Sequence, residues 1–298
     1  MSGGVVLDLT RLRVLVAVAR HGSVTAAAVA LNYAQPSVSH HLARLEAETG
    51  ARLVQRAGRG IRLTEAGALL ADRAEEILGR LDAAESELDA LTGLRGGRVR
   101  LAAFPSALGT FVATAVAEFR AAHPGVEVGL TEAEPPEAIT ALRAGEVELA
   151  LAFRHEPGDL PAGMRAVPLF DEPLYLVTPL DRTGTKLADY ADTPWIGGCP
   201  RCRTHLLACC QEAGFTPTIA FTTDDYVAVQ SLVAAGVAVA TLPGLAINAA
   251  RNPSVRTTRI PGASRHVFAL AYGEPPDPPA TTALLAALRD TARQTWPE

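Results

Sequence analysis

The chain is nearly empty of lysine: Lys186 stands alone against 26 arginines in 298 residues. The bias runs through every part of the chain, which argues for the coding habit of a GC-rich genome rather than a functional cause. No apolar run approaches the ~20 residues of a membrane-spanning helix. The opening MSGGVVLDLTRLR has none of the ordered charge, apolar core and cleavage site of a secretory signal. A cytoplasmic protein with no membrane partner is therefore expected. No G-x-S-x-G elbow and no G-x-x-x-x-G-K-[ST] loop occurs, and His205 has no acid partner in sequence, so nothing marks an enzyme. Cysteine is missing everywhere except in one twelve-residue stretch, 199–210. The net charge of −5 gives no general attraction to nucleic acid. What is present is a 48% hydrophobic composition, enough for sizeable cores in about two domains.

One part of this acidic chain is basic. Residues 1–64 hold eight arginines against Asp8, Glu46 and Glu48. Within them, Ser23 is an N-cap candidate for a helix with Val24, Ala27, Ala28 and Leu31 on its apolar face. Asn32-Tyr33 breaks that helix, and a second begins near Gln35-Pro36, where proline suits a first turn. Val38, Leu42 and Leu45 then form a buried stripe, leaving Gln35, Ser37, Ser39, His40, His41 and Arg44 on other faces. Short hydrogen-bonding side chains on a helix can read base edges or clasp phosphates in a major groove. Arg52, Arg56, Arg59 and Arg62 crowd the segment that follows, where a wing would flank the DNA backbone. The plainer alternative is a surface helical hairpin with solvated polar faces.

The run from Leu7 to Gly67 closely resembles the N-terminal domain of LysR-type transcriptional regulators. The resemblance rests on Leu12, Val14-Leu15, Gly22-Ser23, Ala27-Ala28, Gln35-Pro36-Ser37-Val38-Ser39, Leu45-Glu46, Gly50, Leu53, Arg56 and Leu63-Thr64-Glu65-Ala66-Gly67. It continues more loosely to the C-terminus. Val54-Gln55 and Tyr33-Ala34 depart from the usual family residues. The resemblance implies an α/β architecture: a winged helix-turn-helix (1–64), a linker and dimerisation helix (65–92), then a two-lobed, periplasmic-binding-protein-like effector domain with mixed or parallel sheets (93–298). Lobe I would span about 97–170 and 270–298, and lobe II about 171–269. It further implies a regulator that binds a double-stranded operator through Ser23, Thr25, Gln35, Pro36, Ser37, Ser39, His40, Arg44, Arg56 and Arg59. Its partners would be a second copy, in a homodimer or homotetramer, a small-molecule effector, and RNA polymerase.

Residues 65–92 support that division. They contain no proline, carry leucines at helical spacing, and have only Arg73 and Arg80 as basic residues. Such a stripe needs a partner, either its own domain or another subunit. From Arg98 strands alternate with helices: strands at 99–104, 126–132 and 148–153, with helices at 111–122 and 137–145. A second set has strands at 174–179, 218–223 and 237–243, with helices at 204–213 and 227–235. A strand at 267–272 and a helix at 281–296 finish the chain. Two α/β lobes imply a crevice at the C-terminal ends of strands. Phe104 and Ser106, Phe153 and Arg154, and Thr223 occupy such ends. Ser106 could offer its hydroxyl to an anionic group and Arg154 could clamp a carboxylate, although packing and capping explain such positions equally.

The stretch CPRCRTHLLACC (199–210) leaves three readings open. The cysteines are small buried hydrophobes. Alternatively, Cys199 and Cys202 form a redox dithiol, with Arg201 and Arg203 favouring the thiolate. Or Cys199, Cys202, His205 and Cys209 (or Cys210) hold zinc or another thiophilic ion. No cofactor is otherwise required. A thiol- or metal-responsive regulator is thus the alternative to an effector-bound one. A solute-binding or enzymatic α/β protein is the more remote one.

Overall fold

The computed structural model describes residues 7–57, 60–91, 97–156, 158 and 160–295. It forms two compact units: residues up to Gly97 with Thr140–Glu148, and Arg98–Ile139 with Leu149 onward. Among the described residues no single helix is long and apolar enough to cross a membrane.

The first unit opens with a helix the sequence reading did not assign, α1 (Leu9–His21). The Asp8 carboxylate caps it, accepting the Arg11 N–H at 3.1 Å. Helix α2 (Val24–Ala30) is capped by Ser23 and ends at Asn32, which takes a left-handed φ of 54°. That single residue makes the break expected at Asn32-Tyr33. Helix α3 (Gln35–Thr49) starts with proline in its first turn and buries Val38, Leu42 and Leu45. Strands β1 (Val54–Ala57) and β2 (Gly60–Leu63) pair antiparallel, Val54 opposite Leu63 and Ala57 opposite Gly60. The long α4 (Glu65–Leu91) follows. Leu12, Leu15, Val18, Ala27, Leu42, Leu45 and Leu53 share one core with Ala71, Ala74 and Leu78 of α4. Each leucine-sized side chain buried there contributes about 1.5–3 kcal/mol. The leucine stripe of α4 therefore divides: Ala74 and Leu78 serve their own unit, while Leu69, Ile77 and Leu88 are exposed in the single chain.

A Cβ at Gly67 would lie 1.9 Å from the Leu53 carbonyl oxygen, so α4 can approach the chain before β1 only with glycine at that point. Glu46 accepts the backbone N–H groups of Leu53 (2.8 Å) and Val54 (3.3 Å), tying α3 to the start of the wing.

In the remainder, β3 (Arg98–Ala103), α5 (Pro105–Ala107), α6 (Ala113–Ala122), β4 (Glu127–Glu132), α7 (Pro135–Arg143) and β5 (Leu149–Arg154) give the expected βαβαβ order. A widened helical turn at Leu108–Val112 joins α5 to α6. There follow β6 (Met164–Pro179), β7 (Pro194–Gly197), α8 (Pro200–Glu212), β8 (Thr218–Thr222), α9 (Tyr226–Ala234), β9 (Ala240–Pro243), α10 (Gly244–Ala249), β10 (Val255–Tyr272) and α11 (Pro279–Thr295). The main sheet runs β4-β3-β5-β10-β6-β9. It is mixed: β3 is parallel to β4 and β5, whereas β10 is antiparallel to both β5 and β6.

Strands β6 and β10 are 16 and 18 residues long, far beyond the expected 174–179 and 267–272. Residues 264–272 pair with 164–173 in one lobe, and 255–259 pair with 175–179 in the other. The register shifts between Arg259 and Ser264, where Gly262 takes a φ of 77°. The second lobe's sheet is completed by β7, unassigned from sequence, which pairs parallel with β8 and bridges to Val239 through Trp195. The two lobes are joined by these two strands, paired on either side of the shift.

Candidate functional site

The helix-turn-helix presents one polar face. Gln35, Pro36, Ser37, Ser39, His40 and Arg44 are all exposed on α3, and Gln35 donates to the Ser39 hydroxyl at 3.0 Å. Thr25 is exposed on α2, while the Ser23 hydroxyl is half-buried and engaged in capping Ala26. Arg56 and Arg62 are exposed on the wing strands, and Arg52 pairs with Glu46 at 3.4 Å. Arg44 lies 3.8 Å from Glu48 on the same helix. Arg59 lies outside the described residues.

The second unit holds a cavity of about 90 Å³ at the C-terminal ends of β3, β5, β7 and β8, where open α/β sheets place ligands. Phe104, Ser106, Phe153, Cys199, Cys202 and Thr223, all named from sequence, line it together. Leu174, Ile196, Leu206, Val229 and Leu242 supply apolar walls. Arg154 does not line it. Its guanidinium donates to the Gly158 carbonyl at 2.5 Å and lies 5.4 Å from the centre of the Phe268 ring. The carboxylate clamp expected of Arg154 is thus not formed at the cavity, because the end of β5 turns that side chain toward β10.

A different arginine reaches the cavity. Arg265 of β10 lies over the rings of Phe104 (4.9 Å) and Phe153 (4.3 Å), a cation–π contact with each. It pairs with Glu172 at 2.6 Å and donates to the Ser106 hydroxyl at 2.8 Å. Glu172 also accepts the Leu245 N–H at the start of α10. Ser106 is therefore held by an internal network instead of standing free for an anion. Neither Arg265 nor Glu172 was singled out from sequence. The signal lay in the burial phase of β10, where Arg265 falls between buried Ala263 and Val267.

Two further titratable groups, also missed, line the same space. Burial raises the Glu134 carboxyl to about 7, helped by the negative charge of Cys199 and opposed by Arg265. Burial, then the neighbouring His205, lowers His155 to about 4. His155 stacks on His205 with ring centroids 4.0 Å apart and planes 7° from parallel, and its Nδ1 lies 3.4 Å from the Ser264 carbonyl oxygen. Glu134 Oε2 and His155 Nε2 are buried without hydrogen-bond partners.

Cys199 is the N-cap of α8, its sulfur accepting the Cys202 N–H at 3.4 Å. The Cys202 thiol lies 3.2 Å from Cys199 Sγ. That thiol hydrogen bond and the helix N-terminus favour thiolate, lowering Cys199 to about 6, while the same contact and burial push Cys202 up. Cys209 contacts His205 Nε2 at 3.4 Å, and Cys210 is buried, its thiol pushed up to about 12 by burial. The metal set expected from Cys199, Cys202, His205 and Cys209 is corrected by this geometry. The cysteines separate along α8 into two contacts, and no group of three metal-binding side chains converges among the described residues.

Comparison with known proteins agrees with the architecture. Residues 9–68 match the bacterial regulatory helix-turn-helix proteins of the lysR family, and residues 92–293 match the LysR substrate binding domain. A probable hydrogen peroxide-inducible genes activator from Streptomyces viridosporus is 31% identical over 85% of this chain and 80% of its own. A probable HTH-type transcriptional regulator, LrrA, from Synechococcus elongatus is 36% identical over 145 residues, 49% of each chain, so the chain spans about half of that relative. The crystal structure of CbnR, a LysR family transcriptional regulator, superposes with a TM-score of 0.63 at 24% identity, covering 96% of this chain and 99% of that one. CbnR has also been solved with its target DNA, in a form that superposes at 0.53 with 26% identity over 96% and 100% of the two chains. This chain belongs to the LysR family of transcriptional regulators.

Proposed function

We propose that this regulator binds a double-stranded operator through α3 and the wing, and that a small organic effector in the α/β cavity controls it. The observation that carries the effector reading is the largely apolar cavity at the strand ends, with polar groups held in place around it. Phe104, Ser106, Phe153, Cys199, Cys202 and Thr223 surround the effector. Gln35, Ser37, Ser39, His40 and Thr25 face base edges, with Pro36 opening that helix. Ser23, Arg44, Arg56 and Arg59 meet the phosphates. Leu69, Ile77 and Leu88, exposed on α4, are the apolar side of a homodimer that pairs two reading heads. Larger assemblies and contact with RNA polymerase belong to the same reading. The protein works in the cytoplasm as a regulator and not as an enzyme.

The test is footprinting of the full chain on its own upstream region at two salt concentrations, with sedimentation to give the assembly. Protection of a two-part site that weakens steeply with salt is the expected result. A monomer with no protected site overturns the reading.

One observation favours a second input: the 3.2 Å contact between Cys199 and Cys202. With an organic hydroperoxide, the Cys199 thiolate would attack the terminal oxygen, breaking O–O and releasing an alcohol. The Cys202 sulfur would then displace the hydroxyl as water, forming S–S. Intact mass lower by two hydrogens, restored by dithiothreitol, is the expected sign. Unchanged mass after hydroperoxide treatment removes this reading.

A further inference from the structure

Two buried polar atoms of the cavity have no hydrogen-bond partner, and both can accept. Glu134 Oε2 and His155 Nε2 are buried with no partner. His155 Nδ1 faces the Ser264 carbonyl oxygen, so its proton sits on Nδ1 and Nε2 presents a lone pair. An unpaired buried acceptor costs free energy that an incoming donor recovers.

The charges point the same way. The cavity is lined by Glu134, Asp224 and Cys199, and by one arginine, Arg265. Arg265 is spent on Glu172, Ser106 and two phenyl rings. Removing it from Glu172 to serve a ligand would strand a buried carboxylate. An anionic effector would therefore meet Glu134, Asp224 and Cys199 with no lining arginine free to pair with it, against the expectation that Ser106 and an arginine would hold one.

Resting on the effector reading above, we propose that the cavity takes a small amine: an organic cation with an apolar body, its ammonium shared between Glu134 and His155. The apolar walls of Leu174, Ile196, Leu206 and Leu242 take the body. The proposal carries a pH dependence. Glu134 is faced by Cys199, Asp224 and Glu137, which hold its proton on, and by Arg265, which draws it off. His155 is faced by His205, Arg265 and Arg201, and stays neutral. The ammonium prefers the carboxylate, so binding strengthens as pH rises through about 7 and weakens below it.

Three probes of one shape separate the alternatives: benzylamine, benzyl alcohol and benzoate, titrated calorimetrically into the full-length protein at pH 8 and pH 6. Benzylamine is expected to bind at least about tenfold more tightly than benzoate at pH 8, and to lose most of that advantage at pH 6. In the Glu134→Gln variant the preference should disappear. Should that variant fail to fold, the pH dependence of the wild-type protein decides. Benzoate binding as tightly as benzylamine overturns the cationic assignment and leaves the effector cavity standing. So does benzylamine affinity indifferent to both pH and Glu134. Heat from none of the three overturns the cavity as an effector site altogether.

Discussion

Arg265 and Glu172 stand directly opposite each other on neighbouring strands, at 3% and 0% side-chain exposure, beside the crossing between the two lobes. A buried pair of this kind costs desolvation on both sides, and its attraction offsets that cost only while both partners are present. Glu172→Leu alone should lose about 3–5 kcal/mol in denaturant unfolding. The double variant Glu172→Leu, Arg265→Met should regain most of the loss. A double variant no better than the single one would show that the pair is not the source of the effect.

The thiol pair predicts a rate profile. Cys199 is lowered to about 6, chiefly by the Cys202 thiol, so iodoacetamide should alkylate it with a midpoint near that pH. Cys202→Ala removes the hydrogen bond and should move the midpoint up by about one pH unit or more. Peptide mapping across pH 5–9 reads this out, and a midpoint that stays in place would assign the shift to the helix terminus alone.

Glu46 should matter for structure rather than for DNA contact. It holds two backbone N–H groups at the entry to the wing, and leaving them unpaired costs about 1–3 kcal/mol. Glu46→Gln keeps an acceptor and should lose less than Glu46→Ala in thermal melting. Equal losses would place the role in charge.

On the DNA face the effects should divide by chemistry. Arg56→Ala is expected to weaken all sequences alike and reduce the salt slope by about one. Gln35→Ala should relax preference at one operator position while leaving that slope unchanged. Competition binding against a mutated operator panel checks both; identical behaviour of the two variants would refute the docking.

Stability should respond to pH through two opposed groups. Glu134 is raised from 4.5 to about 7 in the fold, so stability it contributes at low pH is lost as pH rises across that window. His155 is lowered from 6.5 to about 4, so its contribution is lost as pH falls through that range. Glu134→Gln should therefore stabilise at pH 8 and not at pH 4.5. A gain of equal size at both would show the carboxyl does not titrate there.

Much of this was legible in the chain. The turn at Asn32, the stripe Val38–Leu42–Leu45 and the alternation from Arg98 are local patterns, and local patterns survive without neighbours. Helix α1 was not legible as a separate element, because Val14 to Val18 are buried without a break and a helix apolar on most sides loses its periodicity. The first halves of β6 and β10 were missed for another reason. VRTTRIPGASRH (255–266) is polar and interrupted by proline and glycine, and it is a strand only because a partner runs beside it. The cavity's unused acceptors were hidden too, since Glu134 and His155 sit just past strand ends with nothing in their flanks to announce burial. The cysteines were conspicuous and their spacing set Cys199 and Cys202 apart, but the cap that this pair forms at the start of α8 needed the fold.

The pairing of β6 and β10 has a mechanical consequence. Hinges in two-lobed proteins are a few loop or element-terminal residues that absorb the change when the halves move. Here both passages between lobes are strands, bonded to each other on either side of the crossing. Such a connection is a paired bar between the lobes, through which a displacement on one side reaches the other. Whatever settles against Glu134 and His155 does so beside the middle of that bar, and a small adjustment there is delivered outward.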